Sequence, residues 1–121
     1  MKVTIASPDK ISISTFVSFM RFCLGKEYSL VETYSLMSQE ALKSYIEGYL
    51  KKSEKLIISF YAKNKASMDP LKIIPETLID SSDLVVWMDL YSMEWVIIKD
   101  SSNQAPYYVD RWKMNMEKLN R

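Results

Sequence analysis

The sequence predicts an α+β fold in which about three helices pack on a sheet of roughly four to five strands, antiparallel or mixed, as a single domain over residues 1–121. Two observations predict it. Alternating or β-branched runs of strand length are interleaved with apolar stripes at helical spacing, in the order β, α, (β), α, β, loop, β, β, α. A composition of 48% hydrophobic and 26% charged residues over 121 positions suits one buried core and lies far from the profile of a disordered chain.

The first element is a short strand at residues 2–6, where Lys-Val-Thr-Ile-Ala alternates and is β-branched before Ser7-Pro8 stops it. Ile13, Phe16, Val17, Met20, Cys23 and Leu24 then fall at helical spacing, with Ser7 or Ser12 as N-cap and Gly25 as the residue that ends the helix. Residues 26–37 fit two patterns: Tyr28, Leu30, Tyr34 and Leu36 alternate, while Leu30, Val31, Tyr34 and Met37 suit a helix, and the balance leans to strand. After Ser38 a clearer helix carries Ala41, Leu42, Tyr45, Ile46, Tyr49 and Leu50 on one stripe, with Glu47 and Lys51 as a favourable i,i+4 pair.

Residues 56–62 read as a strand with Leu56, Ile58 and Phe60 on one face and Ile57, Ser59 and Tyr61 on the other. Residues 63–83, with Pro70 and Pro75, read as a long connection holding one short element near residues 72–74. Residues 83–91 and 94–99 form a hairpin that reverses around Ser92-Met93. Pro106 suits the first turn of a last helix, which aligns Tyr108, Trp112, Met116 and Leu119 along one docked side.

Composition also restricts function. Without histidine, Ser-His-Asp and Cys-His catalysis, imidazole metal sites and charge switching near neutral pH are all lost. Gly25 and Gly48 stand apart, whereas a phosphate-cradling loop needs clustered glycines for close backbone approach. The expectation is therefore a protein that is not an enzyme and uses no cofactor and no metal. A lone Cys23 and a start of Met-Lys-Val-Thr-Ile-Ala-Ser-Pro-Asp, without an apolar leader stretch, point to the cytoplasm, and no apolar run approaches the about 20 residues of a membrane span. A net charge of +1 gives no long-range field, so any nucleic-acid or lipid contact would be local.

The leading expectation is a protein-binding module, such as an inhibitor, an immunity or antitoxin-like protein, a phage-encoded inhibitor or an adaptor, with another protein as partner. It rests on a hairpin that combines aromatic and acidic residues. If Leu84, Val86, Met88 and Leu90 face one core, then Val85, Trp87, Asp89 and Tyr91 share the opposite face, either covered by a second layer such as the C-terminal helix or exposed for recognition. Asp80, Asp83, Asp89, Glu94 and Asp100 against Lys99 alone give residues 80–100 a local charge of −4. The predicted partner-binding residues are Trp87, Asp89, Tyr91, Met93 and Glu94. An apolar sheet face would equally serve a homodimer.

The alternative is nucleic-acid binding through Arg111, Trp112, Lys113, Lys118 and Arg121, where aromatics interleave with cations; against it, Trp112 lies on the packing stripe and Glu117 compensates Lys113 and Arg121. Asp83, Asp89 and Glu94 are the carboxylates available for hydrolytic or divalent-cation chemistry, with spacing that matches no metal loop. Cys23 sits on an apolar stripe and reads as a small buried hydrophobe.

Overall fold

A computed structural model describes residues 1–52, 54–63, 69–89 and 94–119. Its elements are β1 (Lys2–Ser7), α1 (Lys10–Leu24), β2 (Ser29–Tyr34), α2 (Gln39–Lys52), β3 (Leu56–Tyr61), α3 (Pro70–Ile73), α4 (Glu76–Ser81), β4 (Leu84–Asp89), β5 (Glu94–Asp100) and α5 (Ala105–Leu119). The fold is α+β with a mixed sheet of order β2-β3-β1-β4-β5, in which only β5 runs antiparallel to its neighbour. No helix among the described residues is long and apolar enough to cross a membrane.

Most strands are parallel because most connections are helical crossovers, which require helices on the sheet faces and strands apolar on both sides. β1 and β3 satisfy this: Val3, Ile5, Leu56, Ile57, Ile58 and Phe60 are all fully buried or nearly so. Thr4 is the polar exception at the centre, and its hydroxyl lies 2.7 Å from that of Ser82, so neither is left unpaired.

Among the described residues there are five helices where about three were expected, because the 63–83 connection contains both α3 and α4. Asp69 caps α3 by accepting from the Leu71 N–H at 3.0 Å, Pro70 opens it, and Pro75 separates the two helices. The ambiguous 26–37 segment is a strand over Ser29–Tyr34. Val31 and Thr33 point inward while Ser29, Glu32 and Tyr34 face solvent, which is why both periodicities were present.

The cap of α1 is Asp9, not Ser7 or Ser12. Its carboxylate accepts from the Ile11 N–H at 3.3 Å and from the Ser12 hydroxyl at 2.5 Å, while the Ser7 hydroxyl accepts from the Asp9 N–H. Gly25 ends α1 at φ 114°, a conformation that side chains other than glycine's resist, and its N–H returns to the Arg21 carbonyl at 3.0 Å.

Two apolar clusters flank the sheet. On one face α1 and α5 bury Phe16, Val17, Met20, Tyr108 and Val109 against Val3, Ile5, Leu84, Val86 and Met88. On the other, Leu42 and Ile46 of α2 and Leu78 of α4 cover Val31, Ile58, Phe60, Val85 and Trp87. The second face of β4 is thus covered, and its cover is the α2–α4 layer; the C-terminal helix lies on the opposite side. β3 is not a neighbour of β4, since β1 runs between them.

Connections leave the adjacent strands β1 and β3 in opposite directions. α1 carries the chain past β3 to β2 on one face, and α3 with α4 carries it past β1 to β4 on the other. Where neighbouring crossovers diverge in this way, a crevice opens outside the carboxyl ends of the strands. Ser7, Tyr34, Tyr61 and Asp89 end the four parallel strands on that edge.

At the other end of the sheet Asp100 anchors α5. Its carboxylate accepts from the Ser102 hydroxyl at 2.9 Å and the Ala105 N–H at 3.1 Å. Desolvation raises its pKa, but these bonds and those from the Gln104 and Asn103 backbone outweigh it, leaving the carboxyl below the ordinary value. A carboxyl depressed in the folded state stabilises above its unfolded-state pKa and loses that contribution as pH falls through the depressed value. The melting-temperature gap between wild type and Asp100→Asn is therefore expected to narrow as pH is lowered through the carboxylate range; a gap independent of pH contradicts it.

Candidate functional site

The hairpin residues singled out by sequence separate once placed. Trp87 is only 4% exposed and packs in the α2–α4 cluster, so its indole is core rather than surface. Asp89 is half-buried at the end of β4 and pairs in register with exposed Glu94 at the start of β5. Tyr91 and Met93 lie outside the described residues.

The acidic edge divides as well. Asp83 and Asp100 lie at the far end of the hairpin, where Asp100 stands opposite Leu84, a strand length of about 17 Å from Asp89 and Glu94 at ~3.4 Å per residue. Asp83 accepts from the Lys2 N–H at 2.8 Å, and Lys99 donates to the carbonyls of Ile79 at 2.8 Å and Asp80 at 3.4 Å. These charges tie the strand ends to α4 and α5. Among the described residues no three of His, Cys, Asp and Glu converge as a metal site would require.

The C-terminal basic set is likewise partly structural. Trp112 packs with its ring centroid 5.9 Å from Phe16 and 6.2 Å from Trp95. The Arg111 guanidinium donates to the Tyr107 hydroxyl at 3.0 Å and sits 5.3 Å from that ring's centroid. Lys113 and Lys118 are exposed, and Arg121 lies outside the described residues. Cys23 is half-buried; burial pushes its thiol up, with Arg111 pulling the other way, so it is held in the unreactive protonated form.

A different surface gathers the exposed aromatics. Tyr34 at the end of β2 is 50% exposed, Leu36 in the following turn 80%, and Tyr45 and Tyr49 of α2 about 40% each. Tyr45 and Tyr49 meet edge to face at 5.3 Å. Their mutual hydrogen bond, then burial, with the nearby Glu32 and Tyr34, raise the Tyr45 pKa. The patch therefore spans the free edge of β2 and the outer side of α2. Beside it a cavity of about 190 Å³ opens between Tyr34, Met37, Phe60, Ile73 and Lys72.

Sequence reading missed this patch because Tyr45 and Tyr49 share the apolar stripe of α2 with Leu42 and Ile46. Among the described side chains of that stripe, Leu42 and Ile46 are the ones that reach the sheet. The available signal was the Tyr-x-x-x-Tyr spacing at the border of that stripe, next to a strand whose alternate positions are Glu32 and Tyr34.

Compared with protein-family models, curated proteins and solved structures, the chain matches none of them.

Proposed function

We propose that the chain is a non-catalytic protein-binding module, acting as an inhibitor, an immunity or antitoxin-like protein or an adaptor, whose partner docks on the tyrosine patch of β2 and α2. The observation that carries this reading is the gathering of Tyr34, Leu36, Tyr45 and Tyr49, all at least 39% exposed, along one edge. Tyrosine supplies a large, rigid contact area with a polar tip, the composition that dominates binding energy at protein interfaces. The adjacent 190 Å³ cavity offers a seat for one apolar anchor from the partner, with Lys72 at its rim.

The test is affinity capture from a lysate of the source cells using wild type and a Tyr34→Ser, Tyr45→Ser, Tyr49→Ser variant. Tyr45→Ser and Tyr49→Ser also remove a ring contact of about 0.5–1.5 kcal/mol, so the triple variant is expected to melt somewhat below wild type and the capture is run well below its unfolding transition. Proteins retained by wild type and lost by the variant support the proposal. An identical set retained by both removes the patch from recognition.

A further inference from the structure

We propose that the crevice on the α1 side of the sheet, at the carboxyl ends of β2 and β3, binds a small zwitterion of the free amino acid class. The cavity measures about 160 Å³ and is lined by Lys10, Ser14, Glu32, Tyr34, Ser59 and Tyr61. It lies beside the first turns of α1, over β2 and β3, one strand to the side of the point between β1 and β3 where the crossovers diverge.

The space exists because of one residue. β3 reads Leu-Ile-Ile-Ser-Phe-Tyr, and Ser59 is the small polar side chain in a run that is otherwise large. Ile57, on the same face, is covered by α1. Two positions along, Ser59 leaves unfilled the volume that a valine or isoleucine would occupy. Ser59 is 8% exposed, and its hydroxyl has no hydrogen-bond partner among the described residues, although the Ser59 carbonyl accepts from Thr33 at 2.7 Å. That hydroxyl opens onto the cavity, where a polar ligand group can replace the water that otherwise solvates it.

Charge sets the ligand class. Lys10 and Glu32 line the same cavity and form no ion pair with each other or with another described residue. A ligand bearing one anionic and one cationic group meets both. The α1 N-terminus does not compete for the anion, because the Asp9 carboxylate already occupies it, so the Lys10 ammonium is the anion's partner. The hydroxyls of Ser14, Tyr34 and Tyr61 supply the remaining polar contacts. A cavity of about 160 Å³ is comparable to one of about 150 Å³ that holds benzene, the scale of a ligand of about six non-hydrogen atoms such as a short amino acid.

The test uses the full chain with glycine, L-serine, β-alanine and taurine, against lactate, ethanolamine and glycerol, which carry hydroxyls with an anionic group alone, with a cationic group alone or with no charge. At least one zwitterion is expected to raise the melting temperature saturably and to shift the backbone amide resonances of residues 10–14, 32–34 and 59–61, while the three partial analogues at equal concentration do neither. Lys10→Gln and Glu32→Gln should each weaken that binding by an order of magnitude or more. Ser59→Val, which fills the floor, should abolish it while the free chain melts no lower than wild type. Silence from all four zwitterions up to tens of millimolar, an equal response to glycerol, or undiminished binding by Ser59→Val overturns the proposal. A Tyr45→Ser, Tyr49→Ser double variant alters the tyrosine patch while leaving every residue that lines the cavity in place, so loss of lysate partners and loss of the zwitterion are separable results.

Discussion

Trp87→Ala is expected to lower the unfolding free energy by about 3–5 kcal/mol, the range for truncating a buried aromatic without repacking. The indole is 4% exposed and fills the α2–α4 side of the sheet together with Val85, Phe60 and Leu78. A domain of this size has only about 5–15 kcal/mol in total, so a large share of its stability rests on this side chain. Equilibrium urea unfolding measures the effect. At a slope of roughly 1–3 kcal/mol per molar the midpoint should fall by more than about 1 M. Any loss of partner binding in Trp87→Ala should then track the unfolded fraction and recover at lower temperature. A variant as stable as wild type but unable to bind would instead make Trp87 a contact residue.

On the opposite face Phe16→Ala should be at least as damaging, again about 3–5 kcal/mol. Phe16 is fully buried, with its ring 4.3 Å from that of Trp95, 5.9 Å from Trp112 and 6.0 Å from Phe19. It joins α1, β5 and α5 in one aromatic group, and each such pair adds about 0.5–1.5 kcal/mol beyond the area it buries. Because Trp95 and Trp112 lose their neighbour, tryptophan fluorescence should move to longer wavelength in the folded variant as water reaches the group. An unchanged unfolding midpoint would mean that α1 is not held through Phe16.

These two residues also indicate what the sequence revealed. Phe16 was legible as core because its stripe, from Ile13 to Met20, has the helical period, and a one-sided helix has one place to bury that stripe. Trp87 was not, because alternation along β4 separates its two faces without saying whether either is covered; that depends on where the crossovers from β1 and β3 go. Strand order was hidden for the same reason. Tyr45 and Tyr49 share the apolar stripe of α2 but lie beyond the edge of β2, where the sheet ends before it can bury them. The acids of residues 80–100 were legible as charge, but pairing Asp83 with the Lys2 backbone and Asp100 with α5 required the three-dimensional placement of elements distant in sequence.

The central position of β1 has a consequence for synthesis. β1 leaves the ribosome before both of the strands it pairs with, β3 and β4, and Lys2 waits for Asp83, 81 residues downstream. At elongation rates of about 5–20 residues per second, an apolar strand with two open edges is exposed for roughly 4–16 s before its second neighbour exists. Until then α1 is the nearest cover, through the Ile5-facing side of Phe16 and Val17. A nascent chain stalled before β4 is a natural client for a ribosome-associated chaperone.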